Sequence, residues 1–159
     1  MDYFSLARAL FTNIKAGRIV EGGSTITQQL AKNLYFDSEQ TLTRKFAEIF
    51  AAYTIEKEYS KDQILELYCN LIYFGDGYYG IGEASRGYFG VQPGELTLSQ
   101  ATMLAGLPQA PTVYALREDA AAAAKRQQIV LKAMVGNGVL TEEEAAAVVA
   151  PVDDLKKAA

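Results

Sequence analysis

The sequence predicts a mainly α-helical fold. Apolar residues recur at helical spacing along most of the chain, as in Phe4, Ala7, Leu10, Phe11 and Ile14. Ser60-Lys61-Asp62-Gln63, Thr97-Leu98-Ser99-Gln100 and Thr141-Glu142-Glu143-Glu144 each form the Ser/Thr-x-x-Glu/Gln pattern that opens a helix. No segment alternates convincingly between apolar and polar residues, so little strand is expected. At 159 residues, half of them hydrophobic, the chain suits one domain with a sizeable core.

In order, Asp2 caps a first helix that Gly17 stops. Ser24 and Thr25 are good N-cap residues for a second, which ends near Leu34-Tyr35-Phe36. Asp37-Ser38-Glu39 reads as a loop. A long helix is expected from about Thr41 to Tyr59, burying Leu42, Phe46, Ile49, Phe50 and Tyr53. Ser60 opens the next, with Ile64, Leu67, Tyr68 and Leu71 inward. Tyr73 to Gly82 carries four glycines and reads as an ordered loop. A short helix through Glu83 to Tyr88 stops at Gly90. Thr97 starts an Ala/Leu helix that stops at Gly106, and Pro108 and Pro111 suggest an extended link. C-terminal helices follow from about residue 117, one from Ala120 to Met134 and one after Thr141. The tail from Asp153 is expected to fray.

Composition narrows the chemistry. The net charge is −4, from 15 basic and 19 acidic residues, which argues against nucleic acid as a partner. Any anion site must be a local basic cluster, for which Lys32, Arg44 and Lys45 are the candidates. There is no histidine, so Ser-His-Asp catalysis, Cys-His catalysis and His-ligated metals are excluded. Acid–base work would fall to Glu, Asp, Tyr or Lys. Cys69 is alone and reads as a small buried apolar residue. No apolar run is long enough to span a bilayer, and no signal peptide is visible. The chain begins at Met1-Asp2 with almost no lead-in and reads as a fragment.

The most informative stretch is Gly22-Gly23-Ser24-Thr25-Ile26-Thr27-Gln28-Gln29-Leu30-Ala31-Lys32-Asn33, followed by Arg44-Lys45-Phe46-Ala47-Glu48. Glycines let the backbone turn and approach a ligand closely. The first N–H groups of the helix have no intrahelical partner and favour an anion, often a phosphate. Gln28 with Lys32, and Gln29 with Asn33, share faces at i and i+4 and supply amide and ammonium groups. Gly-Gly-Ser-Thr alone would more simply cap a surface helix. Arg44 and Glu48 also stand four apart, and by themselves read as a surface ion pair.

These strings, with Ile64-Leu65-Glu66-Leu67-Tyr68-Cys69-Asn70, Tyr73-Phe74-Gly75, Tyr88-Phe89-Gly90 and Leu104-Ala105-Gly106-Leu107-Pro108, occur in an order that resembles the family 51 glycosyltransferases. These are the peptidoglycan transglycosylase domains of penicillin-binding proteins and of monofunctional transglycosylases. The likeness covers nearly the whole chain. It implies a lysozyme-like fold with a membrane-facing lobe, polymerisation of lipid II into glycan strands with release of undecaprenyl diphosphate, and inhibition by moenomycin. It implies that Gly23, Ser24, Thr25, Gln28, Gln29, Lys32 and Asn33 hold the diphosphate and sugars of the donor strand. Arg44 and Lys45 would join them, and Glu48 matches the second of two active-site glutamates. The resemblance implies no certain cofactor, with a divalent cation, Mg or Mn, as a candidate at the diphosphate. The expected place is the outer face of the bacterial cytoplasmic membrane, with the anchor outside this chain.

Departures from the family pattern qualify these expectations. The family's first motif, an acidic-aromatic stretch with the glutamate proposed as general base, should lie immediately before Asp2. The resemblance thus implies a partial, N-terminally truncated domain over residues 1–159, inactive or severely impaired alone. Gln40 and Ala47 stand where the family often has Arg and Lys, and Cys69 replaces a commoner Leu. No Ser-x-x-Lys or Lys-Thr-Gly occurs, so no transpeptidase signature is present. Two rival readings are a non-catalytic module that binds lipid II or glycan, and a lysozyme-like hydrolase.

Overall fold

In a computed structural model of the protein, residues 24–35 and 42–151 are described. The first predicted helix, the turn at Gly22 and Gly23, the loop at Asp37 and the C-terminal tail lie outside them. The fold is mainly α, as predicted. Among the described residues the one β feature is an isolated antiparallel bridge between Tyr73 and Tyr79. Two compact units are present, Met1–Cys69 and Asn70–Ala159.

In the first unit, α1 spans Ile26–Tyr35, α2 Leu42–Glu58 and α3 Lys61–Leu71, the last running past the division between the units. Leu30 and Ala31 of α1, Ala52 and Ile55 of α2 and Ile64 of α3 form one buried cluster, with Leu67 and Tyr68 against it. Ala31 and Ala52 are both fully buried, and with no side chain beyond Cβ they leave room for α1 and α2 to pack closely. Ser60 and Gln63 exchange backbone-to-side-chain hydrogen bonds of 3.3 and 2.9 Å, so the predicted capping box opens α3.

The expected inward face of α2 is corrected at its aromatic residues, while Ile49 is half-buried and the Leu42 side chain lies outside those described. Phe46 and Phe50 are 74% and 73% exposed, and Tyr53 is exposed too. Glu48, Ala52 and Ile55 are buried instead. A residue two positions along a helix points about 200° away, so a stripe through Phe46 and Phe50 and one through Glu48 and Ala52 are nearly opposite. The aromatic stripe is the more hydrophobic, but the opposite one is what α1 and the ion pairs of Glu48 select. In α3, Ile64 is buried as expected, whereas Leu71 is exposed.

The second unit contains α4, Ile81–Phe89; α5, Leu98–Gly106; α6, Ala120–Gly136; and α7, Glu142–Ala147, with 3-10 turns at Pro93–Glu95 and Leu107–Gln109. Its core gathers Ile72, Phe74, Tyr88, Phe89, Met103, Leu104, Leu107, Leu116 and Leu131. The Tyr73–Gly82 loop is ordered by left-handed residues, including Gly80 at φ 80°, where a Cβ would meet Asn70 O at 2.3 Å. Tyr88 Oη donates to Phe74 O at 3.0 Å, tying this loop to α4. Gly90 caps α4 in the left-handed conformation. Gln127 of α6 donates to Ser99 O and Thr102 Oγ1 of α5 at 2.9 and 3.0 Å. Pro108 does not start an extended link. It sits in the 3-10 turn that continues α5, where its missing N–H has no bond to lose.

Candidate functional site

The site is built at the start of α1 and along one face of α2, within the first unit. Thr25 is the N-cap. Its Oγ1 accepts from Gln28 N at 3.2 Å, and its own N–H donates to Gln28 Oε1 at 3.3 Å. This reciprocal box leaves Ser24 outside the helix with its hydroxyl free to turn to another partner. That partner is Lys45, whose Nζ donates to Ser24 Oγ at 2.8 Å and to Glu48 Oε2 at 2.9 Å. An ammonium has three donors, so one N–H of Lys45 remains beyond these two bonds.

Glu48 is 2% exposed, and among the described residues it is the buried charged group. A buried charge persists only when paired. Its Oε2 meets Lys45, and its Oε1 lies 3.0 Å from Arg44 Nε. The Arg44 contact is a close charge pair rather than an aligned hydrogen bond, because neither atom meets its partner with hydrogen-bonding geometry. Spacings of three and four on one helix bring both cations over the same carboxylate. Lys45 keeps 42% of its side chain exposed. The arrangement therefore holds a lysine ammonium at the protein surface, anchored from beneath by a buried carboxylate.

Gln29 flanks this cation. Its Nε2 donates to Ser24 O at 3.4 Å, and its Oε1 accepts from Tyr68 Oη at 3.1 Å. Burial, and secondarily the neighbouring Cys69, push the Tyr68 phenol from 10.0 up to about 12. Thr27, two positions before Gln29 and so on nearly the opposite side of α1, donates to Glu56 Oε1 at 2.9 Å.

Of the residues selected from sequence, Ser24, Gln29, Arg44, Lys45 and Glu48 thus stand together, with Thr25 as the helix cap beside them. Gln28 is 1% exposed, its carbonyl oxygen spent on the cap and its Nε2 buried without a hydrogen-bond partner. It supports the helix start from inside rather than facing outward. Lys32 and Asn33 are exposed on the later turns of α1. Gly23 lies outside the described residues. Tyr68 was read from sequence only as a core residue, because its apolar neighbours hide the reach of a hydroxyl. Among the described residues no group of three or more His, Cys, Asp or Glu side chains gathers to hold a metal. Glu48 already faces two cations, so this donor set does not fit a protein-held divalent ion.

Comparisons with known proteins show what the chain is similar to. The family model described as Transglycosylase matches residues 1–135. Penicillin-binding protein 1A of Neisseria flavescens is 52% identical over 114 residues, which is 72% of this chain and 14% of that protein. Penicillin-binding protein 1A of Aquifex aeolicus is 45% identical over 153 residues, 96% of this chain and 21% of that one. The chain thus spans between about a seventh and a fifth of the length of these relatives. The crystal structure of penicillin-binding protein 1A from Haemophilus influenzae matches 79% of this chain and 16% of its own, with 28% identity and a TM-score of 0.48. By the family model over residues 1–135 and by its identity with these relatives, the chain belongs to the transglycosylase family.

Proposed function

We propose that this chain is the part of a cell-envelope glycosyltransferase that holds a lipid-diphosphate-linked glycan while its anomeric carbon is attacked by a sugar hydroxyl. The substrates are lipid II and the nascent glycan strand, and the lipid diphosphate leaves. The observation that carries this reading is the Lys45 ammonium, anchored between Ser24 and the buried Glu48 beside the N-terminus of α1. Such a leaving group needs fixed positive charge as it departs. Lys45, Arg44 and the first N–H groups of α1 supply it. Gln29 adds an amide donor, and Lys32 and Asn33 on the later turns suit the sugars that follow.

Glu48 serves this site by placing the two cations. Each of its oxygens faces one of them, so it is badly placed to take the acceptor's proton. A second carboxylate must do that, and the family resemblance assigns it to the acidic-aromatic motif. The same feature favours, as a second reading, a module that binds lipid II or glycan without polymerising it. The outer face of the cytoplasmic membrane is where the substrate lies, and moenomycin, which carries a phosphate and sugars, would compete for the cationic site.

Lipid II polymerisation followed on a gel tests both readings. The chain as it stands is expected to bind the donor without forming polymer. A version with a Glu-Asp-x-x-Phe-type segment ahead of Met1 is expected to polymerise. In that longer protein, Glu48→Gln should lower the rate about 10²-fold or more, the scale for losing a positioned charged group. Polymer from the unextended chain would place the base within residues 1–159, and an unimpaired Glu48→Gln protein would remove Glu48 from the mechanism.

A further inference from the structure

We infer that Tyr68 is a positioning residue for the donor site: its hydroxyl fixes which end of the Gln29 amide faces the ligand. The inference rests on the diphosphate reading above. An amide side chain has nearly the same shape with its oxygen and nitrogen exchanged, but the two ends have opposite hydrogen-bonding character. Beside an anionic phosphate the NH2 end attracts and the oxygen end repels. Something must therefore set the orientation.

Two contacts do so together. Ser24 O is a carbonyl and can only accept, so the end of Gln29 that meets it at 3.4 Å is Nε2. That leaves Oε1 toward Tyr68 Oη, 3.1 Å away, and there the phenol must donate. The bond to Ser24 is at the long limit of hydrogen-bond distance and is weak by itself. The Tyr68 contact is shorter, and its donor comes from a different helix, α3, where the ring is held against the Leu30–Ile64 cluster. The raised phenol keeps its proton throughout the neutral range, so it stays a donor. With one N–H of Nε2 on Ser24 O, the second remains for a phosphate oxygen at the side where Lys45 also binds Ser24. Without the Tyr68 hydroxyl only the weak Ser24 contact opposes the amide turning over and presenting its oxygen to the anion.

Binding of farnesyl diphosphate, a soluble prenyl diphosphate, measured by titration calorimetry, tests this. Tyr68→Phe keeps the ring and its packing, and a thermal melt checks that the fold is kept. It should weaken binding about 3- to 10-fold, the range for one hydrogen bond gained or lost. Gln29→Ala should cost a similar factor, and Tyr68→Phe added to Gln29→Ala should cost nothing further, because the hydroxyl acts only through the amide. Unchanged affinity in Tyr68→Phe, or losses that simply multiply in the double variant, would overturn the inference. Lys45→Ala separates the two levels. If it weakens binding while Tyr68→Phe does not, only the role of Tyr68 falls. If Lys45→Ala leaves affinity intact, the diphosphate reading fails and the inference with it. As a measurement independent of affinity, the Gln29 side-chain NH2 resonances should shift in Tyr68→Phe before any ligand is added, and their remaining unmoved would also count against the inference.

Discussion

At the scale of single residues, one buried carboxylate arranges the charges of the first unit. Glu48 has its charge compensated by neighbours one turn behind it, and this places a lysine where a bare surface lysine would have no fixed position. Tyr68 adds a titration that can be followed. Folding favours its protonated form, because its pKa is raised from 10.0 to about 12 by burial first and Cys69 second. The stabilisation is complete below the unfolded value near pH 10 and is lost as pH climbs through about 12. Between those limits the stability of the protein should fall less steeply in Tyr68→Phe than in the parent. Urea melts at pH 9, 10, 11 and 12 would show it, and parallel curves would mean that the phenol titrates normally.

At the scale of elements, the sequence was most legible where a local rule suffices. The capping boxes at Ser60, Thr97 and Thr141 are present, and so is the stop at Gly90. Each depends on residues within a few positions of one another, and no tertiary partner can easily overrule it. Thr97→Ala should accordingly cost about 1 kcal/mol, since it removes the acceptor for Gln100 N at 3.2 Å. Denaturant unfolding checks this, and a change below a few tenths of a kcal/mol would show that α5 is held by packing alone. The face of α2 was not legible, because periodicity identifies stripes and not which stripe meets α1. The meeting of Arg44 and Lys45 with Glu48 on one face of α2 is legible from their spacing, whereas the reach of Lys45 to Ser24 crosses 21 positions and had no local signal. The Tyr68–Gln29 bond crosses 39 positions and had no signal in sequence at all.

At the scale of the molecule, the misassigned stripe becomes a property of the surface. Phe46, Phe50 and Tyr53 on α2, and Leu34 and Tyr35 on α1, are all exposed in the unit that carries the candidate site, with Lys57 capping the Tyr53 ring at 4.5 Å. Exposed aromatics with a basic residue at the end of the row suit a lipid–water boundary. Liposome co-sedimentation should therefore retain the parent protein. Phe46→Ser with Phe50→Ser should release it, while changing stability by no more than about 0.5 kcal/mol, as expected at exposed positions. Equal sedimentation of both proteins would mean that the stripe does not meet lipid. Among the described residues no helix is long and apolar enough to cross a membrane.

In the second unit the ring of Tyr78 lies so close to α4 that a Cβ at Gly87 would stand 2.2 Å from its Cζ, and Arg117 lies over the same ring at 5.6 Å. What occupies that space is an α-hydrogen of Gly87, above the face of an aromatic ring. The circulating π electrons should shield this hydrogen, so in a proton NMR spectrum one Gly87 α resonance should lie far upfield of its twin. The signal would report on the loop and α4 in their native arrangement, in a part of the spectrum with little else in it. Tyr78→Leu should return it to the crowd of ordinary glycines, and a Gly87 pair that is unsplit in the parent protein would show that the ring rests elsewhere.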